Sequence, residues 1–200
     1  MRIFGIDPGS ERTGYGCVET DGRRTHLVAC GAITATAADS FPDRLARIHR
    51  ELAAQLAAHR PDCVAIENLF HANNVRSALK LGHARGVAML AAVEAGCEVV
   101  EYTPTEIKRA VVGYGRAEKH QVGQMIKLLL GLKAVPTPHD ASDALAVAIC
   151  HLHSAAPGSG NGDPGSAGRP GSRPGSRIPD PGSRSRSPAR SWRQYRPPTA

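Results

Sequence analysis

An α/β architecture, a mixed five-stranded sheet flanked by helices, is what this sequence predicts. Three observations lead there. Three strand-like segments come first, joined by turn signals. Short apolar runs then alternate with amphipathic helices, as in strand–helix–strand crossovers. Two of the short runs end in an acid, Asp7 and Glu67.

Arg2 to Asp7 forms the opening strand: Ile3, Phe4 and Ile6 make a run long enough for a buried strand and too short for a helix, and Pro8-Gly9 breaks it. Thr13–Thr20 and Thr25–Thr34 follow as strands around Asp21-Gly22, a hairpin turn signal. Ser40 caps a helix with Pro42 in its first turn, and Leu45, Ile48, Leu52 and Leu56 share one face until Pro61. Asp62–Glu67 is a buried strand around Cys63-Val64-Ala65-Ile66.

Val75–Glu94 is a long helix carrying Leu79, Gly82, Gly86, Met89, Leu90 and Val93, and Gly96 ends it. Interior glycine costs a helix about 1 kcal/mol relative to alanine. Gly82 and Gly86, four apart, give a smooth stripe that either the sheet or a second subunit could use. A fifth strand holds Val99-Val100 and ends near Tyr102. Thr103-Pro104-Thr105-Glu106 is a capping box opening the next helix, which Gly113 ends. Glu118–Leu130 places Val122, Met125, Ile126 and Leu129 inward, and the last helix runs from near Asp140 to Leu152.

The net charge of +7 is uneven. From Ser154 onward eight arginines face two aspartates, a net of +6, so the preceding residues carry only +1. That final stretch is dominated by Gly, Pro, Ser and Arg, too poor in apolar side chains to build a core, and is expected to be a disordered basic tail. Any anion-binding face of the body must therefore come from local clustering. Five scattered cysteines without a C-x-x-C pair argue against a disulfide framework or a zinc site. No charged-then-apolar leader and no apolar run of ~18 residues is present, so the expectation is a cytosolic protein that does not enter a membrane.

Four acids carry the candidate chemistry. Asp7 and Glu67 end strands that a right-handed crossover lays side by side, so both emerge at one sheet edge, where α/β sheets usually bind ligands. Asp140 and Asp143, three apart at the start of the last helix, share a face. Gathered together they would repel one another, and their ionised forms would need a cation. Hard oxygen donors favour Mg²⁺ or Mn²⁺. Two such ions suit in-line attack on a phosphodiester. The plainer alternatives are a turn-initiating Asp7, a solvated Glu67, and helix-capping Asp140 and Asp143.

Several motifs together resemble the RuvC family: Ile6-Asp7-Pro8-Gly9, Ile66-Glu67-Asn68-Leu69-Phe70, Ser77–Gly82 with Ala84–Val87, Val111-Val112-Gly113, Ala117-Glu118-Lys119, and Asp140–Ala146. The resemblance covers Met1 to about His153. It implies an RNase H-like nuclease domain over residues 1–153, with the tail over 154–200. It further implies a bacterial Holliday-junction resolvase that makes paired, symmetric, Mg²⁺-dependent nicks in four-way DNA junctions during recombination and repair, leaving 5′-phosphate and 3′-hydroxyl ends. Asp7, Glu67, Asp140 and Asp143 would then be the catalytic, metal-binding tetrad, with two ions and Mn²⁺ as a substitute. A homodimer and a RuvA–RuvB branch-migration partner are implied as well. Some relatives carry histidine where Asp140 falls, and here His139 stands beside it.

Phe70, in a polar run with Arg76, can stack on an unpaired base from an exposed loop, with core packing as the plainer alternative. Lys80, Arg85, Lys108, Arg109, Arg116 and Lys119 are candidate phosphate contacts, with a solvated face as the plainer alternative; Lys108 and Lys119 stand at positions the family associates with DNA. Phosphate contacts alone give affinity without sequence choice, so a branched substrate must be selected by shape and by two sites at fixed spacing, as a C2 dimer provides. Two rivals remain at this point: an actin-like phosphotransferase, whose first phosphate loop G-I-D-P-G also resembles, and a junction-binding protein that does not cut. The first lacks a second Gly-rich loop and an adenosine motif in this chain. The intact acids argue against the second.

Overall fold

The computed structural model describes residues 1–36, 38–68 and 74–155. Its elements run β1 (Arg2–Asp7), β2 (Arg12–Thr20), β3 (Thr25–Thr34), α1 (Phe41–His59), β4 (Cys63–Glu67), α2 (Val75–Glu94), β5 (Glu98–Tyr102), α3 (Pro104–Val112), α4 (Lys119–Leu129) and α5 (His139–Ala155). The sheet order is β3-β2-β1-β4-β5, with the β1–β2 and β2–β3 pairs antiparallel and the β1–β4 and β4–β5 pairs parallel. This is the mixed five-stranded sheet expected from the element order.

Side-chain alternation sorts each strand between two cores. Phe4 and Ile6 of β1, with Val64 and Ile66 of β4, pack against Ile48, Leu52 and Leu56 of α1 and the alanines of α2. Ile3, Cys63 and Ala65 face the other way, onto Leu145–Cys150 of α5 with Ile107, Val122 and Ile126 from α3 and α4. The same parity carries Asp7 and Glu67 to the α5 side. Register adds to it: Ile6 lies opposite Ile66, so the two strands end level.

α5 lies unusually close to the sheet because three strand positions facing it have no side chain. A Cβ on Gly5 would stand 2.0 Å from the Ala144 carbonyl oxygen, one on Gly14 2.0 Å from that of Asp140, and one on Gly16 2.7 Å from Leu145. Small residues on the helix, Ala141, Ala144 and Ala148, are fully buried in return. The first turn of α5 is thereby brought against the ends of β1 and β2.

The caps form as read. The Ser40 hydroxyl accepts from the Asp43 amide, and Thr103 and Glu106 make a reciprocal capping box. Asp21 accepts from the Arg23 and Arg24 amides to close the β2–β3 turn, with Gly22 at φ 90°. All five cysteines are free.

One expectation needs correcting, and one open choice is narrowed. Leu129 is not inward but 39% exposed, because α4 is anchored through Val122, Gly123 and Ile126 instead. On α2 it is Ala84, Ala88, Ala91 and Ala92 that bury, whereas Leu79, Leu90 and Val93 are 59%, 50% and 63% exposed. Gly82 and Gly86 lie on that outer side with nothing within 4 Å of an added Cβ, so the glycine stripe does not serve the sheet. No helix among the described residues is long and apolar enough to cross a membrane.

Candidate active site

A cavity of about 270 Å³ opens at the carboxyl ends of β1 and β4, lined by Asp7, Glu67, Lys108, Lys119 and Asp143 with Pro104, Ile107, Val122 and Ala146. Each polar member arrives by a local cause. Asp7 and Glu67 are the terminal residues of parallel neighbours. Asp143 sits one turn into α5, between the Asp140, Ala144 and Leu145 contacts to the glycines. Lys108 projects from α3, which the Thr103–Glu106 cap starts immediately after β5. Lys119 is the first residue of α4.

The acids strain against one another. Burial above all, then the Glu67 and Asp143 charges, pushes the Asp7 carboxyl up to about 9. Glu67 is raised too, mainly by burial, although the hydrogen bond it accepts from Asp7 works the other way. Their shared hydrogen bond favours the proton on Asp7, since it raises Asp7 and lowers Glu67. Asp143 is handled differently, its Oδ2 accepting from Lys119 Nζ at 2.8 Å. That hydrogen bond is the foremost cause of a raised Lys119 ammonium pKa, and the Asp7 and Glu67 charges add to it.

Asp140 does not line this cavity. Its Oδ2 lies 3.4 Å from Arg12 Nη1, on a guanidinium supplied by the start of β2. His139 begins α5 and is exposed. The conjunction expected of four acids is thus three in one cavity and one beside it, turned to Arg12. Among the described residues no three His, Cys, Asp or Glu groups stand close enough, as oriented, to hold an ion. The donor chemistry nevertheless fits a hard divalent cation: carboxylate oxygens only, two of them half-buried and raised first by burial. Asp143, unlike these two, is bonded to Lys119.

Of the proposed DNA contacts, Lys108 and Lys119 are in the cavity wall. Arg76 is exposed in the first turn of α2. Lys80 is also on α2, with its Nζ 5.9 Å from the Phe41 ring centroid. Phe70 lies outside the described residues. Sequence reasoning missed Arg12, whose link to Asp140 spans 128 positions and leaves no local signal. It also missed a polar chain next to Glu67: Asn68 donates to Glu101 Oε2 at 3.1 Å, and Arg85 of α2 bonds the other Glu101 oxygen. Glu101 had a signal, since an acid inside β5 with the parity opposite to Val100 must meet α2.

Known proteins resemble this chain in sequence and in fold. The RuvC family profile, described as crossover junction endodeoxyribonuclease RuvC, matches residues 3–151. The crossover junction endodeoxyribonuclease RuvC of Koribacter versatilis is 55% identical over 157 residues, covering 78% of this chain and 95% of that protein. That of Geotalea uraniireducens is 56% identical over 154 residues, covering 77% and 90%. Among solved structures, Thermus thermophilus RuvC in complex with a Holliday junction substrate superposes with a TM-score of 0.74 at 36% identity, covering 78% of this chain and 94% of that one. A five-stranded mixed sheet with a close-packed acidic helix, matched over nearly the full length of those proteins, carries the assignment: the chain belongs to the RuvC family of crossover junction endodeoxyribonucleases, with their RNase H-like fold.

Proposed function

We propose that this protein resolves four-way DNA junctions by paired, symmetric phosphodiester hydrolysis that depends on Mg²⁺. One observation carries the reading: Asp7, Glu67 and Asp143, from three distant segments, line a single cavity beside two lysines in a RuvC-family chain. Asp7, Glu67 and Asp143 would hold the divalent ions, with Asp140 reaching in from its Arg12 contact; two Mg²⁺ are expected, with Mn²⁺ able to replace them. When bound, the ions supply water activation and stabilisation of the leaving oxygen.

The protein's own groups set the geometry. Asp7 would hold an ion in its ionised form. Lys108 and Lys119 neutralise the scissile phosphate, and Pro104, Ile107, Val122 and Ala146 form a low-dielectric wall that strengthens each charge interaction. Hydrolysis in this arrangement leaves 5′-phosphate and 3′-hydroxyl nicks. Phe70, Arg76 and Lys80 are assigned to the junction arms. The outer face of α2 is the homodimer contact that fixes the spacing of two active sites. The nuclease domain spans residues 1–153, followed by the basic tail over 154–200. RuvA–RuvB is the partner machinery in recombination and repair, and the cytoplasm is the place of action.

The test is a labelled four-way junction incubated with Mg²⁺, beside linear duplex and an Asp7→Asn variant. Symmetric nicks that a ligase reseals, confined to the junction and lost in the variant, are expected. Tight binding without cutting, or ATP turnover in its place, would reject the reading.

A further inference from the structure

We propose that Lys119 acts as a tethered counterion that competes with the divalent ions for Asp143, so that loading of the site and release of this lysine toward DNA phosphate are one exchange. The inference rests on the reading of the cavity as a divalent-ion site.

Lys119 Nζ stands 2.8 Å from Asp143 Oδ2, so the lysine occupies one oxygen of a proposed ligand. Its charge is also felt by Asp7 and Glu67, so one ammonium serves all three acids. The lysine is not locked in place. Its side chain is 79% exposed, whereas that of Asp143 is 21% exposed, so the long arm can swing while the acid stays put. Its position makes the swing cheap: it is the first residue of α4, where the helix has not yet buried a face, and burial begins at Val122. Lys108, which shares the cavity, forms no such bond to an acid among the described residues.

A doubly charged ion brought near the acids would repel an ammonium still seated on Asp143 and would outbid it, since the attraction scales with charge. The displaced ammonium then remains at the cavity mouth, where a phosphate replaces the lost carboxylate. Lys119 is thus a positioning residue for the ion as well as a phosphate contact. It holds Asp143 out of the ion's coordination until an ion arrives.

The experiment is titration calorimetry of the full chain with Mn²⁺ alone at neutral pH, without DNA. Lys119→Met is expected to bind Mn²⁺ about tenfold more tightly than the parent, because an ion pair no longer has to be broken and a nearby positive charge is gone. Lys119→Arg keeps the charge and is expected to stay near parental affinity. Lys127→Met, two turns further along the same helix, removes the same net charge and is expected to change affinity less than twofold. Unchanged or weaker Mn²⁺ binding by Lys119→Met overturns the inference while leaving the ion site itself intact. An equal gain in Lys127→Met also overturns it, because bulk charge would then explain the effect. If the parent binds no Mn²⁺ that Asp7→Asn abolishes, the ion-site reading falls, and this inference with it.

Discussion

Asp7 keeps its proton far above the usual carboxylate range, and that proton is a handle on the site. Its carboxyl is raised from 3.8 to about 9, first by burial and then by the neighbouring acids. Between those values the folded protein binds a proton that the unfolded chain has lost. In the presence of a chelator, stability must therefore fall as pH rises from about 5 to 9, by no more than about 1.4 kcal/mol per pH unit for one proton. Urea unfolding of the parent across that range should show the decline, and Asp7→Asn should flatten it. A parent whose midpoint does not move with pH would contradict the assignment of the proton. The same substitution removes a proposed ion ligand without removing bulk. Junction cleavage should drop about a thousandfold or more while gel-shift affinity for the junction is retained, since the loss corresponds to several kcal/mol of transition-state stabilisation.

At the scale of elements, the site depends on how near α5 lies to the sheet. Gly5 is the tightest point, and a methyl group there meets the backbone oxygen of Ala144. Gly5→Ala should cost about 1–3 kcal/mol in chemical unfolding, with the helix pushed outward and cleavage reduced at saturating junction. A parental midpoint would mean the helix shifts freely. α2 poses the opposite problem, exposing Leu79, Gly82, Gly86 and Leu90 together along one apolar groove. With this face as the proposed dimer contact, Leu90→Arg should yield a monomer in sedimentation and single rather than paired nicks, while far-UV circular dichroism stays parental. A dimer that survives this change would place the interface elsewhere.

For the whole molecule, charge is divided between a nearly neutral body and an arginine-rich end carrying +6. Nucleic-acid affinity contributed by such a stretch falls with salt through counterion release. Changing its eight arginines to serine should flatten the dependence of junction affinity on salt between about 50 and 200 mM. The cleavage rate at saturating enzyme should not change. Anisotropy titrations at several salt concentrations measure the first effect, and an unaltered slope would show the stretch is idle in DNA binding.

Much was legible from residues in order. Strand parity and Pro8-Gly9 place Asp7 at a buried strand end. The Ser40 and Thr103 caps mark helix starts, and Asp21-Gly22 marks the first hairpin, because turn and capping chemistry is local and reads within a few positions. The outward face of α2 was not legible, since Leu79 and Leu90 look like core residues until alanines are seen to pack in their place. Nor was the division among the four acids. By itself the sequence determined the order of elements, the acids, and the strand ends that carry two of them. Only the tertiary structure decided that Asp143 answers to Lys119 and Asp140 to Arg12, pairs 24 and 128 positions apart. Long-range partners are selected by where the sheet and α5 bring them, and no periodicity in the chain encodes that distance.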